Sequence, residues 1–166
     1  VVGTGVAQLQ SGIDYLKSED DFFTETTQSN NFFRLGFNEW FEANLLLNYQ
    51  SDFVSNPNVE NTRGLSQVVP GARINLINEE TGWIQGFGIQ LDFSLKDVGT
   101  DYKSFHNTPG ITFVSYHQLT HDYSLSFNLG STYNSFQGFE VFYRGAIGFP
   151  LPFALDGFFE LYGFEG

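Results

Sequence analysis

Acidic and basic side chains recur in this chain at every second position of stretches that otherwise alternate apolar with polar: Asp14, Arg34, Glu42, Asp52, Arg73, Asp92, Glu140, Arg144 and Glu160. Asn44, Asn48 and Asn128 share their side of the pattern. Both signs of charge are present. On the inner wall of a closed sheet, such groups pair across the interior and fill it, or they line a narrow charged pore. The first reading is structural and the second functional, and the residue types admit both. Catalysis finds less material. An outer hydrolase needs a His beside a carboxylate and near a Ser or an activated water. Of the three histidines, His117 lies in a strand-like run and His121 in a short turn, so only His106 with Asp101 could be fitted to that role. A solvated loop histidine is the simpler account. Glu19, Asp20, Asp21 and Glu25 could hold Ca²⁺ loosely through oxygen. They lack the glycine and spacing of an EF-hand loop, so they read as a solvated acidic loop. There is no P-loop, GxSxG or GxGxxG, and no Cys for thiolate chemistry or disulfides. The expectation is no catalytic residue, no metal and no cofactor.

The elements that place these groups are strands. In EANLLLNYQSDF, from Glu42 to Phe53, one side of a two-residue period carries Ala43, Leu45, Leu47, Tyr49 and Phe53, with Ser51 its only polar member. The other side carries Glu42, Asn44, Asn48, Gln50 and Asp52, with Leu46 its only apolar one. A period of two is that of a β-strand. The run exceeds the soluble mode of about 5–6 residues and reaches the roughly 9–11 tilted residues that cross a bilayer.

The pattern repeats along the chain. Residues 6–17 set Ala7, Leu9, Ile13 and Tyr15 against Gln8, Gln10 and Asp14, and residues 30–38 set Phe33, Leu35 and Phe37 against Arg34 and Gly36. Residues 65–77 set Ala72, Ile74 and Leu76 against Gly71, Arg73 and Asn75; residues 83–95 set Phe87, Ile89, Leu91, Phe93 and Leu95 against Gln90 and Asp92. Residues 110–118 are apolar on both sides and have no readable orientation. Tyr123, Leu125, Phe127, Leu129 and Tyr133 oppose Ser124, Ser126, Asn128, Thr132 and Asn134; Val141, Tyr143 and Ile147 oppose Glu140 and Arg144; Leu155, Phe159 and Leu161 oppose Asp156 and Glu160. Between them, SEDDFFTETTQS (18–29), VSNPNVENTRG (54–64) and KDVGTDYKSFHNTP (96–109) read as long loops. NEWF, NEETG with Gly82, LTHD, SFQG and FPLP read as short turns. Mostly alternating long and short connections match a transmembrane barrel with long outer loops, and place Trp40 and Trp83 at inner turns where an aromatic girdle is expected.

Composition agrees. In 166 residues there are 20 Phe, 8 Tyr and 2 Trp, yet only 16% of residues are charged and mean hydropathy is −0.17. No run of about 18 apolar residues exists to form a transmembrane helix. A soluble β-sandwich or lipocalin-like barrel would also alternate, but strand length and aromatic content favour the membrane barrel. A net charge of −12 argues against nucleic acid as a partner. The absence of Met, at position 1 and elsewhere, reads as a mature or partial chain whose export signal lies outside these residues.

Three motifs carry a family resemblance: a strand pair around an acidic turn ending in GW (Glu79, Glu80, Gly82, Trp83), an SLxxNLG strand (Ser124 to Gly130), and a final FFELYG (Phe158 to Gly163). Their order across residues 31–164 resembles the outer-membrane family named for transport in the phenol-degradation meta pathway. The resemblance implies an outer-membrane barrel, a cargo that includes hydrophobic or aromatic molecules, and further strands after the ELYG segment.

The expectation is thus an all-β, transmembrane, antiparallel up-and-down β-barrel in the outer membrane of a Gram-negative bacterium. It forms one domain over residues 1–166, with about nine strands here and about 12 when complete, the odd count and an outward-heading last strand implying missing C-terminal strands. Asp14, Arg34, Glu42, Asn44, Asn48, Asp52, Arg73, Asp92, Asn128, Glu140, Arg144 and Glu160 are expected to line its lumen. Leu45, Leu47, Phe87, Leu91, Phe93, Leu125 and Phe127 are expected to face lipid. It would act as a passive channel or uptake protein for small molecules; the rivals are a non-transporting subunit of a larger outer-membrane assembly and an outer-membrane hydrolase. Its expected partners are outer-membrane lipid and other outer-membrane proteins or a chain that completes the barrel.

Overall fold

Alternation, β-branched and aromatic residues, and turn residues at its breaks make this chain a sequence of hairpins. The computed structural model describes residues 3–18, 24–55, 60–78, 84–99, 101–102, 106–134, 138–152 and 155–165, except the side chains of Asn134 and Leu155. The strands are β1 (Ala7–Ser18), β2 (Thr24–Gly36), β3 (Phe41–Val54), β4 (Thr62–Asn78), β5 (Gly86–Ser94), β6 (Thr108–Gln118), β7 (Ser124–Asn134), β8 (Gly138–Leu151) and β9 (Leu155–Glu165). All nine form one antiparallel sheet in chain order, curled into a half-barrel, with β1 and β9 as its outer strands. No helix among the described residues is long and apolar enough to cross a membrane.

Several boundaries differ from the sequence expectation. Thr24 to Ser29, read as part of a loop, are the first half of β2 and pair with both Ser18–Ile13 and Val54–Tyr49. Their two faces are both polar, so hydrophobic alternation is silent while the β-branched threonines still favour an extended chain. Phe149, Pro150 and Leu151, read as a turn, pair with Gly157, Asp156 and Leu155. β4 begins three residues before the expected strand, and Thr108 and Pro109 belong to β6. Asn78 of the NEETG turn ends β4; residues 79–82 of that turn with Gly82, and Trp83 with it, lie outside the described residues, as do Glu19, Asp20 and Asp21.

Register fixes which side each residue takes, and it orients the ambiguous β6. Phe87 opposes Ser115, which opposes Phe127, so Ile111, Phe113 and Ser115 share the apolar face; Thr112 and Val114 take the other. Two bulges sit in β4. Ser66 is extra opposite the Asn48–Tyr49 step, and Leu76 opposite the Gly88–Phe87 step. Such insertions bend the strand and strengthen its twist.

The distribution of burial is inverted relative to a soluble domain. Val69 is the only buried apolar residue among those described, while Glu42, Asn44, Asn48, Asn75 and Thr112 are buried. Side chains on the concave side of a curled sheet crowd one another, and here that side is the polar one. Leu9, Ile13, Phe33, Leu35, Phe93, Phe127 and Leu129 stand exposed on the convex side.

β4 has 17 residues and β5 only 9, so the Thr62–Pro70 half of β4 runs past its last β5 partner, Gly71 to Asp92. The chain after β5 continues in the same direction along this overhang. Leu95 N–H donates to Val68 O at 3.0 Å and Arg63 N–H to the Asp101 carboxylate at 3.3 Å. Along this path the backbone is left-handed at Asp97 (φ 56°) and Gly99 (φ 81°). A Cβ at Gly99 would strike the Leu65 carbonyl oxygen, so only glycine permits this approach.

Candidate functional site

The site is the concave wall. The register chain Gln8–Arg34–Asn44–Gly71–Asp92–Gly110–Thr132–Glu140 forms one row of it. A neighbouring row runs Gly36–Glu42–Arg73–Gln90–Thr112–Gly130–Phe142. By the same registers Asp14, Asn48, Asp52, Asn128, Arg144 and Glu160 also lie on this face. Leu45, Leu47, Phe87, Leu91, Phe93, Leu125 and Phe127 lie on the opposite, convex face.

The best-held group is Glu42. Both its oxygens take the Arg34 guanidinium, from Nε at 2.7 Å and from Nη2 at 2.8 Å, a bidentate arrangement with directional strength. Arg34 also donates to Gln8 at 3.2 Å. Arg73 is the register partner of Glu42 on the other side. Its Nε donates to Asn75 Oδ1 at 3.1 Å. Arg144 meets Glu160 at 3.5 Å in a more exposed pair. Asp14 accepts from Asn30, one strand away.

Asp52 is the second well-satisfied carboxylate. It accepts from Thr26 Oγ1 at 2.7 Å, from Gln50 Nε2 at 3.0 Å and from the Tyr102 hydroxyl at 2.8 Å. Tyr102 thereby pins the loop after β5 to β3. Partial burial holds its phenol above the usual value, and the hydrogen bond to and charge of Asp52 add to this.

Asp92 differs from both. Its carboxylate accepts only from Gln90 Nε2, at 3.1 and 2.9 Å, and no ion pair reaches it among the described residues. Both its cross-strand neighbours, Gly71 and Gly110, lack side chains. A Cβ at Gly71 would collide with the Asp92 and Asn44 side chains, which meet above it. Asn44 is 7% exposed and neither of its side-chain polar atoms has a partner; Asn48 Oδ1 and Asn128 Oδ1 are likewise buried and unpartnered.

Elsewhere, Trp40 is exposed in the β2–β3 turn, where Asn38 Oδ1 accepts from the N–H groups of Trp40 and Phe41. His117 falls on the convex face opposite Leu125, and His121 in the β6–β7 turn. The Asp101 carboxylate, the candidate partner of His106, accepts from the Arg63 backbone N–H.

Sequence reading put Gln90 on the polar side without a role, and did not single out Tyr102 or the concave aromatics Phe142, Phe158, Tyr162 and Phe164 as wall residues. One signal was available for Phe142: it faces Gly130, where a Cβ would run into its ring. A glycine opposite a large inward residue marks a filled spot on the wall.

Comparisons of the chain with protein-family models, with curated proteins and with solved structures find no match.

Proposed function

We propose that this chain forms part of the wall of a β-barrel in the outer membrane of a Gram-negative bacterium and acts as a passive channel or uptake protein for small molecules. The observation that carries the reading is the inversion of burial: apart from Val69 the buried side chains are polar, and most of the large exposed apolar ones lie on the convex surface, with Leu16, Tyr116, Phe158, Tyr162 and Phe164 as the concave exceptions. In water such a surface would drive association. Against hydrocarbon it is the stable arrangement, with a polar interior left for water and solute. Hydrocarbon also requires partners for the free edges of β1 and β9, because each unpaired backbone group there costs several kcal/mol. On this reading those edges are closed by further strands, from the same protein or another chain.

The test is conductance of the purified protein in a planar bilayer. Discrete current steps are expected. Inserted protein that passes no current would favour the non-transporting subunit of a larger assembly. One feature favours that second reading: on the convex side of β1–β2, Ser11 Oγ donates to Asn31 Oδ1 at 2.9 Å and Asn31 Nδ2 to Ser29 Oγ at 3.1 Å. This polar ladder suits a protein neighbour better than lipid.

A further inference from the structure

The concave wall holds an open cleft of about 530 Å³. Among the described residues lining it, Asp92 is the only ionisable one; the rest of its polar surface is hydroxyl and amide, including Ser94, Thr112, Thr132, Gln28 and Gln67. Resting on the reading of this face as a water-filled wall, we propose that the cleft binds a small hydroxylated ammonium solute, of the amino-sugar or amino-alcohol kind, with Asp92 taking the ammonium.

Asp92 is left available for such a ligand. Among the described residues Gln90 supplies its only hydrogen bonds, and a carboxylate has about four lone-pair sites, so acceptor capacity remains. Glycines on both neighbouring strands leave it uncovered. The nearest cation in register terms, Arg73, is turned away. Its Nε bonds Asn75 and lies 3.4 Å from where a Cβ on Gly88 would be, on the side of its row that faces away from Asp92. The other two concave arginines already have carboxylates.

Beside the cleft, behind its lining, the Asn44 side chain is more than nine-tenths buried and unpartnered, and its oxygen lies with an Asp92 oxygen above Gly71, so no protein donor reaches Asp92 from that side. An ammonium donates several hydrogen bonds and can fill the acceptor sites of Asp92 that Gln90 leaves open. Hydroxyls on the same solute match the Ser, Thr and Gln lining, which both donates and accepts. An anion would meet the Asp92 charge with no cation in the cleft to offset it, and a purely apolar solute would leave these groups unpaired.

The test is an equilibrium titration of the full-length protein in detergent micelles with glucosamine, at about pH 6, where the amine is charged, and with glucose as the neutral comparator. Glucosamine should bind about tenfold or more tightly than glucose, and Asp92→Asn should erase the difference. Thr132→Lys provides a second variant. Residue 132 lies one strand beyond Gly110 in the row of Asp92, so a lysine there supplies a competing ammonium and should also abolish the preference. Equal binding of the two sugars, or a preference that survives both substitutions, overturns the proposal. Planar-bilayer current separates this from the channel reading: selective binding without current refutes the channel and leaves the site, whereas current without glucosamine preference refutes the site and leaves the channel.

Discussion

Arg34 with Glu42 and Arg144 with Glu160 are ion pairs of the same chemistry on the same face of one sheet, in different surroundings. In the first, the side chains are 16% and 1% exposed and the contact is bidentate. In the second they are 55% and 29% exposed, at 3.5 Å. The first sits on β2–β3 with a further strand on either side. The second sits on β8–β9, where the sheet order stops. Enclosure by neighbouring strands, more than charge, sets the difference. The wall around β2–β5 is built to hold a buried charge, and the wall at β8–β9 is covered on one side only.

The largest break in this comparison should come from Glu42→Ala. Removing one partner of a buried pair costs about 3–5 kcal/mol, because Arg34 keeps its charge without its counterion. Denaturant unfolding of the refolded protein would measure it, and a loss under about 1 kcal/mol would mean that water reaches the pair. Next is Leu91→Arg, on the convex face behind the enclosed wall. In lipid vesicles the loss should be about 2–4 kcal/mol at the bilayer midplane. In a soluble protein the same exposed position would be nearly neutral.

A smaller effect is expected at the end of β3, where Tyr102→Phe removes one hydrogen bond to Asp52 at about 0.5–1.5 kcal/mol. Faster amide exchange at residues 95–102, with that of β7 unchanged, is the readout. Because the phenol of Tyr102 is held above its usual value, the anchor should be fully present below the free tyrosine value, about 10. It should be lost only as pH rises through the higher folded value. The smallest effect belongs to Glu160→Gln, about 0–1 kcal/mol and weakened by salt, as for an exposed pair. Measured in lipid vesicles, this value sharpens the comparison: a loss approaching that of Glu42→Ala would show that another strand covers β9 there.

Much of this was legible because the alternation is clean. EANLLLNYQSDF reveals its two faces without help, and so does GFGIQLDF in β5. Hydrophobic pattern fails where both faces are alike. TETTQS is polar on both sides and was read as loop; β6 is apolar on both and gained a direction only from register with Phe87 and Phe127. Pro150 suggested a turn, but a proline can occupy a strand where its missing N–H is not needed. Within the site, Arg34 and Glu42 were recognisable as inward charges eight residues apart. The isolation of Asp92 was not, since it depends on Gly71 and Gly110 from two other strands and on the direction in which Arg73 leans.

The overhang of β4 bears on how the protein behaves in concentrated preparations. Past Gly71 its backbone has no β5 partner, and a bare row of N–H and C=O groups is a template for strands from other molecules. The segment after β5 occupies that row through Leu95, Asp101 and the Tyr102 hydroxyl, which donates to the Thr62 carbonyl oxygen. It acts as a selvedge, finishing a cut margin so that it does not unravel into fibrils. Shortening the segment should therefore first appear as time-dependent turbidity and larger oligomers, before any change in the melting of the sheet itself.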